Sequence, residues 1–251
     1  MLIVLPPSEG KTRPDSGPSL DLGAMSFPDL TRTRELLLRT LVKVSSGNPK
    51  RAADVLGLGP TQAASLDVNA ALPEEPCARA DEVFTGVLFE AADLVTLSAA
   101  ARRLADRSIV IASGLFGLVR PGDLIPAYRL AGNVTLPRLG TVASRWKPSV
   151  PKVLDAASDG GLVIDLRSGT YTAFGPAPAG RTATLRVLQE RDGKRSVVSH
   201  FNKATKGRIV RALLESGADP ATPADLAVTL RDLGWTVERD GGKLDVVVTE
   251  V

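Results

Sequence analysis

The chain has 251 residues, 43% hydrophobic and 24% charged, which are globular proportions and exclude intrinsic disorder. Its 31 Lys and Arg against 28 Asp and Glu give a formal charge of only +3, so any basic surface has to come from clustering rather than bulk charge. One cysteine (Cys77) and one histidine (His200) exclude an intramolecular disulfide and leave a transition-metal site to carboxylates almost alone, so neither metal nor cofactor is expected.

Residues 2–5 (Leu-Ile-Val-Leu) read as a short buried strand closed by Pro6-Pro7. This opening is too short for a signal peptide or a membrane span, which points to the reducing cytoplasm and to no membrane partner. Ser8 to Ser26 is a loop rich in Gly, Pro and Ser, and helical spacing follows at Glu35–Val44, Arg51–Leu58 and Asp67–Ala71. Ala78 to Ala91 contains Phe84-Thr85-Gly86, and a helix to Ala105 follows. Ser108–Ala112 is an apolar run of the kind buried on both faces, opening into Ser113-Gly114-Leu115-Phe116-Gly117. Leu162–Leu166 repeats the pattern and opens into Arg167-Ser168-Gly169-Thr170-Tyr171. Clefts in α/β sheets form at such strand ends.

Strands at Thr182–Leu188 and Ser196–Phe201 flank the hairpin signal Asp192-Gly193, which places His200 in a β-rich segment. Helices are expected at Lys206–Ser216 and Pro223–Leu233, and a second hairpin turns at Asp240-Gly241-Gly242. The sum is a mixed α/β (α+β) fold: a mixed sheet with buried central strands, flanking helices and C-terminal β-hairpins. It is expected as one body over residues 1–251, with a smaller C-terminal lobe from about 182 as a possibility and a monomer as the favoured state.

Three segments carry candidate chemistry. Leu5-Pro6-Pro7-Ser8-Glu9-Gly10-Lys11-Thr12 ends like a phosphate-binding loop, but the first glycine of that motif would fall at Leu5 and no helix follows to cap a phosphate. In Ser113–Leu130, Gly114 and Gly117 would let the backbone approach a ligand. Arg120, Asp123 and Arg129 add charge there, and Tyr128 could stack on a base beside the Arg129 guanidinium. The competing reading makes Arg120 and Asp123 a structural pair and Tyr128 a core residue. In the third segment Lys203, Lys206 and Arg208 crowd the expected helix start, where cations oppose the macrodipole unless an anion lies between them, and Lys206 lies in line with Val210 and Leu213, facing inward.

Taken together, these segments resemble the YaaA family of peroxide-stress proteins. The resemblance runs from the Pro-x-x-x-Lys-Thr loop through Phe84-Thr85-Gly86 to Ser-Gly-Leu-x-Gly-x-x-Arg-Pro-x-Asp-x-x-x-x-Tyr-Arg-Leu and Ser-His-Phe-x-Lys-x-x-Lys-Gly. It implies a mixed α/β fold with a positively charged cleft, DNA binding through a helix-hairpin-helix-like element, and protection against oxidative damage. The family's loop lysine falls on Lys11, its Arg-Pro-x-Asp on Arg120 and Asp123, its Tyr-Arg on Tyr128 and Arg129, and its later basic pair on Lys203 and Lys206.

Three functions stay open at this point. In a protein binding DNA or a nucleotide-like anion, Lys11, Ser113, Gly114, Gly117, Arg120, Tyr128, Arg129, Lys203, Lys206 and Arg208 would hold the ligand. An enzyme acting on a nucleobase, nucleoside or damaged DNA would use Lys11 or Lys206 as nucleophile or acid and Asp123 as base. In a scaffold, the cleft would be structural only.

Overall fold

Leu2-Ile3-Val4-Leu5 offers no polar side chain to water, so as a strand it needs cover on both faces. The computed structural model describes residues 1–191, 194–196 and 199–249. It places these four as a strand, β1 (Leu2–Leu5), buried along its whole length. The other strands of the main sheet are β2 (Ile109–Ser113), β3 (Gly117–Val119), β4 (Val163–Asp165), β5 (Thr182–Arg191), β6 (Lys194–Ser196), β7 (Thr236–Asp240) and β8 (Lys243–Val248).

The sheet order is β7-β8-β5-β4-β1-β2-β3, with β6 paired to β5. β1 runs parallel to β2 (Ile3 opposite Ile109) and to β4 (Ile3 opposite Ile164), and β5 runs parallel to β4 and β8. β2–β3, β5–β6 and β7–β8 are antiparallel. The fold is therefore mixed α/β, with a mixed eight-stranded sheet and flanking helices. Both expected C-terminal hairpins pair antiparallel, although the Asp192-Gly193 turn lies outside the described residues. Their joining through parallel β5–β8 contacts had no signature in the sequence.

Helices Thr31–Ser45, Pro49–Leu56 and Ser65–Ala70 follow the long N-terminal loop. Pro49–Leu56 has sharp local limits: Asn48 caps it by accepting from Arg51 N, Pro49 opens it without wasting a donor, and Gly57 ends it in the left-handed region. Among the described residues no helix is long and apolar enough to cross a membrane.

One expectation is corrected. Ser196–Phe201 is not a strand, since β6 stops at Ser196 and a helix runs from Ser199 to Glu215 with His200 in its first turn. Ala204, Ile209, Val210, Leu213 and Leu214 are buried along it, a spacing only a helix satisfies. Gly207 fixes its partner, because a Cβ there would sit 2.3 Å from the Leu88 carbonyl oxygen on helix Val87–Ala92. Lys203, Lys206 and Arg208 consequently lie beyond the first turn, and the argument from the helix dipole no longer applies to them.

Candidate functional site

Parallel β1, β2 and β4 present their C-terminal ends at one side of the sheet, and the loop after β1 crosses that side. Ser8 anchors it, its hydroxyl accepting from Thr85 N at 3.0 Å and donating to the Gly10 carbonyl. Lys11 forms an isolated antiparallel bridge with Phe84, and Thr12 N donates to Val83 O at 2.9 Å. Phe84-Thr85-Gly86 is thus the surface on which the lysine loop is laid.

Lys11 Nζ donates to Ser8 O at 3.0 Å and stands 4.3 Å from the Tyr128 ring centroid and 5.3 Å from that of Phe84. Burial pulls its pKa from 10.5 down to about 7; the Glu9 carboxylate opposes this and the Arg129 guanidinium adds to it. Tyr128 is buried, with its hydroxyl 2.7 Å from Ser113 Oγ, which also accepts from Phe116 N at 2.9 Å. Burial raises the Tyr128 pKa, so the phenol stays neutral.

Arg129 comes next in the chain and is clamped through its backbone by Asn69, which accepts from Arg129 N at 2.8 Å and donates to Arg129 O at 2.9 Å. Its Nη1 donates to Glu9 O at 3.0 Å and lies 2.8 Å from Glu9 Oε2. Two hollows flank Glu9-Gly10. One, of about 290 Å³, has Lys11, Arg13, Gln62, Ser65, Tyr128 and Arg129 on its walls. The other, of about 350 Å³, is lined by Pro7, Ser8, Thr85, Leu88, Tyr171 and Lys203.

The loop after β4 forms the wall carrying Tyr171. It is held by a buried ion pair in which Arg167 Nη2 donates to Asp165 Oδ2 at 2.7 Å and Nε to Oδ1 at 2.9 Å, while Arg167 Nη1 reaches Tyr171 O at 3.2 Å. Lys206 is half-buried on the same side, its pKa lowered by burial with Asp165 opposing. One turn away, Asn202 Oδ1 is buried without a hydrogen-bond partner among the described residues. Arg208 is exposed.

The structure brings Lys11, Tyr128 and Arg129 to one hollow and Lys203 to its neighbour. It separates Arg120 and Asp123 from them. β3 runs back along β2, so Arg120 emerges at the opposite end of the sheet, donating from Nη1 to Arg107 O at 2.6 Å and Ile109 O at 3.1 Å. Asp123 there accepts from Arg120 N, Ser26 N and Ser26 Oγ and borders a different hollow beside Met25. It is a loop staple, too remote to serve Lys11 as a base.

Ser113 is spent on Tyr128 and Phe116, and the two glycines answer to packing rather than to a ligand. A Cβ at Gly114 would lie 2.1 Å from Leu130 O, and one at Gly117, whose φ is 76°, 2.8 Å from the Trp146 ring. Gly114→Ala is therefore expected to lose about 1–3 kcal/mol of stability, because backbone cannot yield as a side-chain tip does. It should also displace the adjoining Tyr128-Arg129 segment, read as a lower urea midpoint together with a shifted Lys11 pKa.

Sequence reasoning missed Glu9 as the partner of Arg129, Asn69 as its backbone clamp and Phe84 as the second ring over Lys11. It also missed Arg34, whose fully buried guanidinium donates to Phe116 O, Leu118 O and Ser26 O. An arginine at the fourth position of a helix carries no local sign of burial. Cys77 is buried and its thiol is pushed up to about 11, leaving little thiolate. Among the described residues, no three of His, Cys, Asp and Glu come together as a metal-ligand set.

Residues 1–240 match the family described as peroxide stress protein YaaA. Among curated proteins the chain is 46% identical over 261 aligned positions to a UPF0246 protein of Streptomyces coelicolor, each chain being covered completely. It is 39% identical to a UPF0246 protein of Corynebacterium efficiens, again over the full length of both, and 25% identical to one of Neisseria meningitidis over 86% of this chain and 85% of that protein.

Proposed function

Since the chain belongs to the family of the peroxide stress protein YaaA, we propose that it takes part in protection against peroxide by binding DNA, or a nucleotide-like anion, in the cleft over the ends of β1, β2 and β4. The observation that carries this reading is the convergence of Lys11, Arg13 and Arg129 on one hollow, with Lys203 on the wall of the next. These cations come from segments far apart in sequence, and their mutual repulsion falls when a phosphate lies among them. Side chains of this kind hold backbone phosphate without reading base edges, so the binding is tolerant of sequence and steeply salt-dependent.

Fluorescence anisotropy with a labelled duplex over a salt series tests it. Arg129→Ala is expected to weaken binding several-fold at every salt concentration and to reduce the salt slope by about 0.9, the share of one phosphate contact. Arg239→Ala, on the outer strand β7, should leave both unchanged. Absence of binding at low salt, or an Arg129→Ala curve that overlays the parent, would overturn the reading.

A second reading is favoured by Lys11 itself. An amine with a pKa of about 7, on the wall of a small hollow, suits an enzyme acting on a nucleobase, nucleoside or damaged DNA better than a simple binding surface. On this reading Lys11 is the reacting group, Lys206 a further candidate, and Asp123 has no part.

A further inference from the structure

We infer that Lys11 is a carbonyl-capturing amine and that the hollow beside it receives an aldehyde attached to a phosphate, as in the open-chain form of a sugar phosphate. The inference rests on the second reading above and gives it a substrate class.

Three features of the geometry lead there. Lys11 Nζ has a single acceptor, Ser8 O, and among the described residues makes no ion pair, the Glu9 carboxylate favouring its charge only from beyond contact. A structural lysine would be expected to meet a carboxylate or to extend into water; this one is half-buried, with Nζ over two aromatic rings. The rings favour the ammonium and burial disfavours it, and burial prevails, since the pKa falls to about 7. Relative to an ordinary lysine at 10.5, the neutral, nucleophilic fraction at neutral pH rises by about three orders of magnitude.

The second feature is the disposition of the arginines. Arg13 gives Nε and Nη2 to Glu75, each at 2.6 Å, and Arg129 gives Nη1 to Glu9. Each guanidinium is thereby aimed by its own carboxylate. Arg13 Nη1 and Arg129 Nε and Nη2 make no hydrogen bond to the described residues, and they belong to side chains on the walls of the Lys11 hollow. Donors fixed in direction but unspent are suited to a phosphate. Size is the third feature: at about 290 Å³ the hollow is at the low end for ligand sites and fits one sugar phosphate better than a whole nucleotide.

The chemistry balances without a further reactant. The neutral Lys11 amine adds its lone pair to the aldehyde carbon and the carbonyl oxygen takes up a proton. The nitrogen gives up both of its protons, one to the oxygen in the addition and one with the departing hydroxyl, so the carbinolamine loses water and leaves an imine; nothing is oxidised or reduced. The aldehyde could be a free sugar phosphate or the aldehydic sugar at an abasic position in DNA, which present the same carbon and phosphate.

The test treats the full-length protein with borohydride in the presence of 2-deoxyribose 5-phosphate in one arm and of a duplex carrying a single abasic site in the other. Reductive trapping should put one adduct on the proteolytic peptide that contains Lys11, with a rate half-maximal near pH 7. Lys11→Arg, which keeps the charge but has no accessible neutral form, should abolish it. Deoxyribose without phosphate should react at least about tenfold more slowly, and Arg129→Gln should narrow that difference. Trapping in only one arm identifies the source of the aldehyde.

Equal labelling of Lys11→Arg, or adducts spread over surface lysines without enrichment at Lys11, would sink the inference. Thermal melting of Lys11→Arg, with Lys11→Met as a second variant, shows whether lost labelling reflects lost folding. A protein that binds duplex but is trapped in neither arm refutes this chemistry while leaving DNA binding standing. Trapping by the free sugar phosphate without duplex binding does the reverse.

Discussion

Arg34→Met is expected to lower the free energy of unfolding by about 3–5 kcal/mol, seen as a reduced urea midpoint with an unchanged slope. The guanidinium is fully buried, with Nε 3.0 Å from Phe116 O and Nη2 2.7 and 2.8 Å from Ser26 O and Leu118 O. Methionine fills the space but offers no donor, leaving three carbonyl oxygens without this partner where water has no access. Those carbonyls belong to the β2–β3 turn (Phe116), to strand β3 (Leu118) and to the loop residue that also engages Asp123 (Ser26), so the damage falls on the segment behind Tyr128. Lysine would restore charge but could not reach three acceptors in one plane, and should recover little. A loss below about 1 kcal/mol would show that the carbonyls find other donors.

Asp165→Asn should cost a similar amount, about 3–5 kcal/mol, because it leaves the Arg167 guanidinium buried against a neutral amide. Asp165 accepts from Arg167 Nε and Nη2, and also from Arg167 N at 3.1 Å, so the residue shapes the loop as well as balancing its charge. Removing both charges together, as Asp165→Asn with Arg167→Met, should recover a large part of the loss, and the shortfall from additivity measures the coupling. The single variant also removes the carboxylate that raises the Lys206 pKa, so that lysine should become neutral at lower pH than in the parent, as NMR titration would show. Full retention of stability in Asp165→Asn would mean that Arg167 finds water in its place.

Strands β1, β2 and β4 were legible because each is an unbroken apolar run, and a sheet buried on both faces needs little beyond that. The helix at Ser199 was not, since β-branched Val197-Val198 beside a turn signal mimics a strand; the decision comes from Gly207 packing against Leu88, a partner more than a hundred residues away in the chain. In the site, Lys11, Tyr128 and Arg129 could be named from local pattern, and they do share one hollow. Arg120 and Asp123 looked equivalent to Arg129 because a run of residues does not show that the chain has crossed to the far end of the sheet. Gly114 and Gly117 do mark close approaches of the kind expected, but to Leu130 and Trp146. The roles of Glu9, Asn69 and Phe84 were not legible, although Glu9 and Phe84 lie in segments the sequence singles out, because what they do is defined only by neighbours from elsewhere in the chain.

β1 precedes its partners in the chain and is flanked on both sides by strands made much later, with Ile3 opposite Ile109 and Leu2 opposite Val163. Until those partners emerge, its apolar side chains and backbone donors have no native place to go. Synthesis at roughly 5–20 residues per second makes that wait many seconds. Such remote pairings also favour slow closure of the sheet.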